Sequence, residues 1–103
     1  LIIVSVVTAD MQHTNFGRQF QQIEKEVVRL ATPFFNYTLV RLPLFYETTY
    51  YGFAAAVKGN CAVKCMIDPQ QPYSAVAVDD VGEALANVAA DTSGDYLCQT
   101  ISL

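Results

Sequence analysis

The chain has 103 residues, enough for one folded domain and too few for two independent ones. It is 52% hydrophobic and 16% charged, which excludes an intrinsically disordered segment because such segments bury too little apolar surface to fold. Ten acidic against six basic side chains give a net charge of −4, which has the wrong sign for holding a phosphate backbone. We therefore expect no direct nucleic-acid partner.

The apolar run at residues 1–7 is broken by Ser5 and is far shorter than the roughly 20 residues of a membrane-spanning helix, so we expect no membrane association. The chain has three cysteines, an odd number without a dense framework, which is typical of reduced thiols and a cytoplasmic location. Only Cys61 and Cys65 stand at a metal-ligand spacing. Both fit one apolar strand face, so we expect buried structural thiols and no metal site.

The amino-terminal part predicts a strand–helix–strand unit. Residues 1–7 are β-branched and apolar, as in a parallel strand covered on both faces. The next apolar residues recur every three or four positions, which predicts an amphipathic helix with this stripe in the core. The stripe consists of Phe16, Phe20, Ile23, Val27 and Leu30. Residues 36–42 predict a second strand, which ends at Pro43 because proline cannot donate to a sheet ladder.

A second helix is predicted over residues 45–58, where alanines favour helix and the following Gly59 favours a stop. Residues 61–67 alternate between apolar and polar side chains, which predicts a half-exposed strand. A proline-containing loop is predicted over residues 68–72.

The remaining residues predict a short strand, a helix and a last strand. The strands cover residues 74–78 and 96–102. Asp80 stands three residues before Glu83, the spacing of a capping box, so the helix is predicted to begin there. Its apolar stripe would be Val81, Leu85 and Val88. The alternation of strands and helices predicts an α/β fold with a mainly parallel sheet between helical layers.

Motifs for nucleotide binding or hydrolysis are missing from the sequence. The nearest glycines, Gly52 and Gly59, are seven positions apart, so neither a dinucleotide fingerprint nor a phosphate loop is present. His13 is predicted to lie in a solvated turn, since no nucleophile elbow surrounds any serine. Arg41 ends an apolar strand, where parallel sheets bind ligands, and is a candidate site residue. A structural ion pair with a carboxylate explains Arg41 equally well.

Four segments resemble NmrA-like proteins, atypical relatives of the short-chain dehydrogenase/reductase family. Residues 40–47, with Tyr37 and Thr38 upstream, resemble the segment after the sixth strand of that family. Residues 4–6 resemble its fifth strand, and Ile23 and Glu24 resemble its following helix. Residues 76–82 resemble the strand-to-helix turn near its end.

The resemblance implies that the chain is the carboxyl-side portion of a Rossmann-type domain, with a mainly parallel three-layer sheet that is incomplete here. The phosphate-binding loop for NADP would then lie before Leu1. The residues that the resemblance assigns to the cofactor are Ser5, Pro43, Phe45, Tyr46, Glu47 and Thr48. Those it assigns to a substrate pocket are Phe20 and Arg41.

The resemblance also implies that dehydrogenase catalysis is lost. The family's catalytic tyrosine and lysine would fall at Phe16 and Phe20, and neither side chain can transfer a proton. We therefore expect no catalytic residue. The expected function is that of an NADP-binding regulator or redox sensor, in which the bound cofactor controls the binding of a protein partner. The alternatives are an NADP-dependent reductase of a small carbonyl or imine compound, and a truncated fragment without independent activity.

Overall fold

The computed structural model describes residues 1–11, 13–31, 35–62, 70 and 72–103, except for the side chain of Asn60. Within these residues the chain forms two small sheets, three α-helices and one short 3-10 turn. The elements in chain order are β1 (Ile2–Val6), the 3-10 turn (Val7–Asp10), α1 (Asn15–Leu30), β2 (Thr38–Leu42), β3 (Leu44–Phe45), α2 (Tyr46–Asn60), β4 (Ala75–Val76), α3 (Val78–Ala90) and β5 (Gln99–Ser102).

Every strand pair in the described residues is parallel. The larger sheet has the order β1-β2-β5, and β3 pairs with β4 in the smaller one. In the larger sheet Ser5 stands beside Arg41, and Arg41 stands beside Ser102. The predicted α/β fold with a mainly parallel sheet is confirmed.

Helices α1 and α3 lie on opposite faces of the larger sheet. Successive strand residues point to opposite faces, so Val40 and Arg41 of β2 face different helices. Val40 and Leu42 pack with Val81 of α3 to form the buried core, and Leu85 packs against it. Arg41 instead reaches Glu24 of α1. The predicted core stripe of α3 is therefore confirmed at Val81 and Leu85.

The prediction that the apolar stripe of α1 packs in the core is wrong. Phe16 is 57% exposed, and Ile23 and Leu30 are about half exposed. The residues of α1 that are buried are Gly17 and Glu24, two turns apart on one line of the helix. A Cβ on Gly17 would lie 2.3 Å from the carbonyl oxygen of Thr8, so the helix approaches the 3-10 turn more closely than another residue permits. This contact and the Glu24 ion pair orient α1.

The prediction that β1 is covered on both faces is also wrong. It pairs only with β2, so it is an edge strand of the described sheet, and Val4 is 45% exposed. The predicted helix start at Asp80 is wrong by two residues, because α3 begins at Val78. The residue at the N-cap position is Ala77, whose side chain forms no capping hydrogen bond. Asp79 and Asp80 lie in the first turn, where carboxylates stabilise a helix through its dipole.

The predicted strand over residues 61–67 lies mostly outside the described residues, as do Cys65 and most of the predicted loop. Cys61 is described and ends α2 in a left-handed conformation with φ of 51°. Cys61 and Cys98 are both exposed free thiols, so the expectation of buried thiols is wrong for these two. Exposure follows from their places, at a helix end and in the turn before β5.

Candidate functional site

An open crevice of about 240 Å³ lies at the carboxyl ends of β1 and β2. It is lined mainly by apolar side chains, with the hydroxyl-bearing Thr8 among them. The lining residues are Val6, Val7, Thr8, Phe16, Leu42, Pro43 and Leu44. This is the edge of a parallel α/β sheet at which ligands usually bind.

The crevice forms because both strands leave the sheet there. Strand β1 ends at Val6 and continues directly into the 3-10 turn. Strand β2 ends at Leu42, and Pro43 separates it from β3 because proline brings no N–H to a ladder. Phe16 reaches the crevice from the first turn of α1, which Thr14 caps by accepting a hydrogen bond from the Gly17 N–H at 3.0 Å.

A buried polar cluster of Ser5, Glu24 and Arg41 joins α1 to β1 and β2 beside this crevice. The hydroxyl of Ser5 donates to Glu24 Oε1 at 2.5 Å. Arg41 donates from Nε to Oε1 at 3.0 Å and from Nη2 to Oε2 at 2.7 Å, a bidentate pair. Ser5 and Glu24 are both buried. Each carboxylate oxygen of Glu24 is therefore satisfied within the protein.

The electrostatics of the cluster keep Glu24 ionised. Burial raises the pKa of the Glu24 carboxyl, but hydrogen bonds from Arg41 and Ser5 and the charge of Arg41 together outweigh burial and hold this pKa below its usual value. The hydrogen bond to Glu24 raises the pKa of Arg41 despite its partial burial. Both groups are therefore charged at neutral pH, and neither is free to act as a proton donor or acceptor.

Glu47 links the first turn of α2 to the start of α3. Its Oε1 accepts a hydrogen bond from the backbone N–H of Val78 at 3.0 Å, across 31 positions of sequence. Its Oε2 is buried and has no hydrogen-bond partner among the described residues. Glu47 thus supplies the acceptor that Ala77 cannot give to the helix terminus.

The structure divides the predicted site residues among several environments. Pro43 lines the crevice. Phe45 packs against the core formed with α3, while Tyr46 and Thr48 are exposed on the first turn of α2. Phe20 is half-buried and contacts Phe16 edge to face, with the ring centres 5.0 Å apart.

Ser5 and Arg41 do not line the crevice; the structure engages both in the buried cluster, and for Arg41 this is the ion-pair alternative. Sequence reasoning missed the partner, Glu24, because its position in the helix gave no sign of burial. It also missed Val7, Thr8 and Leu44. The rule that ligands bind beyond the carboxyl ends of parallel strands could have found these three.

The described residues contain no cluster of three or more His, Cys, Asp or Glu side chains arranged to hold a metal ion. Within the same residues, no helix has the length and apolar character needed to cross a bilayer. Comparison with protein-family models, with curated proteins and with solved structures finds no match to this chain.

Proposed function

We propose that the chain is the nicotinamide-side part of an NADP-binding, NmrA-like domain of Rossmann type. In this proposal it acts in the cytoplasm as a regulator or redox sensor without dehydrogenase catalysis. The observation that carries the proposal is the crevice at the carboxyl ends of β1 and β2. Its position and volume suit a single planar ring with one polar edge.

The lining of the crevice supports binding rather than proton transfer. Among the described residues, six of the seven lining side chains are apolar, which favours contact with the face of a heterocycle. Phe16, at the position that the resemblance equates with the catalytic tyrosine, contributes an aromatic ring and no hydroxyl. The crevice residue with a hydroxyl is Thr8, and an aliphatic alcohol is a good hydrogen-bond partner but too weak an acid for general acid catalysis at neutral pH.

The chain lacks the glycine-rich loop that would hold the phosphates, so the test uses a ligand that carries only the nicotinamide end. Nicotinamide mononucleotide should bind with a dissociation constant on the order of 1 mM, as expected for a small ligand in an open site. The measurement is the change in backbone amide chemical shifts on titration. Shifts confined to the amides of the crevice residues at positions 6–8, 16, 42 and 44 and of their immediate neighbours would support the proposal.

A filled crevice provides the matched control. Val7→Trp should occupy the crevice and weaken binding at least tenfold, whereas Val57→Trp places the same ring on the exposed surface of α2 and should leave binding unchanged. Absence of localised shifts at saturating ligand, or equal binding by both variants, would refute the proposal.

A further inference from the structure

A groove of about 330 Å³ lies between α1 and the strands β2 and β5. It has no lining residue in common with the crevice. One wall is a stripe of α1 whose residues recur every three or four positions, so their side chains lie along one line of the helix. This stripe consists of Gln21, Glu24, Lys25 and Val28.

The sheet residues of the groove lie on the face that α1 covers. Arg41 reaches Glu24 of α1, and Leu39 stands two positions before Arg41 in β2, so both side chains point to this face. Thr100 of β5 is the lateral neighbour of Leu39 in the parallel pair. Leu39 is 2% exposed, whereas Thr100 is exposed. The groove therefore has an apolar floor and a hydroxyl group at its rim.

The guanidinium group of Arg41 has one occupied edge and one open edge. Its Nε and Nη2 bind the two carboxylate oxygens of Glu24. Its Nη1 donates no hydrogen bond within the described part of the chain and faces Oδ2 of Asp10 at 3.9 Å, too far for a hydrogen bond. The Asp10 side chain is 66% exposed, so this ion pair is weak. Nη1 is therefore free to donate to another anionic oxygen.

Basic side chains collect around the groove. Lys25 donates from Nζ to Gln21 Oε1 at 3.2 Å on the helix wall. A second depression shares these two residues with the groove and adds Arg18. Three of the six basic side chains of a chain with net charge −4 thus border the two depressions. Glu24 is the acidic residue among the described lining residues, and Arg41 neutralises it, so the groove keeps a positive charge.

We propose that this groove binds a small organic acid with a compact apolar body. The carboxylate of the ligand accepts hydrogen bonds from Arg41 Nη1 and Lys25 Nζ, and the apolar body lies against Leu39 and Val28. The two cationic donors select a carboxylate because charge-assisted hydrogen bonds are roughly twice as strong as neutral ones. The volume is at the lower end for ligand pockets, which suits a ligand of about ten non-hydrogen atoms.

This inference goes beyond the cofactor proposal and does not depend on it, because the groove and the crevice are lined by different residues. Benzoate is the probe, and benzamide, which has the same shape without the charge, is the matched control. Benzoate should bind with a dissociation constant on the order of 1–10 mM, and benzamide at least tenfold more weakly.

The measurement is the change in backbone amide chemical shifts on titration. The shifts should be confined to positions 21, 24, 25, 28, 39, 41 and 100 and their immediate neighbours. Added salt should weaken benzoate binding, because salt screens the attraction between the carboxylate and the cationic groups.

Two pairs of variants test the charges around the groove. Lys25→Gln removes the ammonium group and should weaken benzoate binding at least threefold, whereas Lys58→Gln removes the same charge from the exposed end of α2 and should not. Asp10→Asn removes the carboxylate that faces Arg41 Nη1 and should strengthen benzoate binding about threefold. Asp95→Asn removes the same charge from an exposed turn and should leave binding unchanged.

Circular dichroism checks that each variant keeps its helices. Equal binding of benzoate and benzamide, shifts spread beyond the groove, equal binding by Lys25→Gln and Lys58→Gln, or weaker binding by Asp10→Asn would overturn the proposal. Benzoate binding without nicotinamide mononucleotide binding would refute only the cofactor proposal, and the reverse result would refute only this inference.

Discussion

Glu47, in the first turn of α2, accepts a hydrogen bond from the backbone N–H of Val78, at the start of α3. The two residues are 31 positions apart, so the start of one helix depends on the position of another. This contact also fixes the segment that follows Pro43, because Phe45, two residues before Glu47, packs in the core. The geometry of the crevice therefore depends on a cap formed by tertiary structure.

Replacement of Glu47 tests this cap. Glu47→Ala removes the acceptor and should lower the free energy of unfolding by about 1 kcal/mol, the usual cost of losing a helix cap. Glu47→Gln keeps an acceptor and should cost less. Glu83→Ala, at an exposed position of the capped helix α3, is the control. Urea unfolding measures all three, and an equal loss for Glu47→Ala and Glu83→Ala would contradict the assignment.

The buried cluster predicts a stability that depends on pH. The folded-state pKa of Glu24 is lowered, so the unfolded chain binds this proton more readily, at about pH 4.3. The stabilisation is therefore complete above that pH and is lost as the pH falls through the folded-state value. Arg41 stays charged throughout. Thermal unfolding at pH values from about 3 to about 7 measures the slope.

Two substitutions separate the buried pair from a surface pair. Glu24→Gln should remove much of the acid-side slope, and at neutral pH should cost about 3 kcal/mol because Arg41 loses its buried partner. Glu26→Gln breaks the exposed pair with Arg29 and should change stability little, since solvent screens it. An unchanged slope in Glu24→Gln would show that another carboxyl group is responsible.

Sequence periodicity predicted the order of the other described strands and helices, because that order follows from local spacing, but it missed the two-residue β3. The predicted strand over residues 61–67 lies mostly outside the described residues. The core stripe of α3 followed from the same signal, and Val81 and Leu85 pack as expected. The flank of α1 that faces the sheet could not be predicted from local spacing. It is set by the ion pair of Glu24 with Arg41, which joins residues 17 positions apart in sequence. Likewise, the local pattern favoured Asp80 as the cap, whereas the distant Glu47 provides it. Of the crevice, the sequence identified Pro43 through the resemblance, but not the residues of the 3-10 turn.

The left-handed end of α2 predicts a stabilising substitution. Cys61 has φ of 51°, and its N–H bonds to the Val57 carbonyl at 3.0 Å. Glycine adopts this conformation without steric cost, so Cys61→Gly should raise the free energy of unfolding by about 0.5–1 kcal/mol. Cys61→Val, branched at Cβ, should lower it. Chemical denaturation with the reduced chain measures both, and the opposite order would contradict the left-handed cap.

Gly17 and Gly82 both lie within helices, and alanine should have opposite effects at the two positions. A Cβ on Gly17 would lie 2.3 Å from the Thr8 carbonyl oxygen and 2.7 Å from that of Met11, both backbone atoms that cannot rotate away. A Cβ on Gly82 would meet nothing within 4 Å. Gly82→Ala should therefore stabilise α3 by about 0.5–1 kcal/mol through helix propensity. Gly17→Ala gains the same propensity but forces α1 away from the 3-10 turn, and should lower the free energy of unfolding by about 1–3 kcal/mol overall.

Gly17→Ala should also weaken the binding of nicotinamide mononucleotide, because Phe16 and Thr8 line the crevice on either side of this contact. The titration followed by backbone amide chemical shifts measures this effect. Stabilisation by both substitutions would mean that α1 does not approach the 3-10 turn this closely.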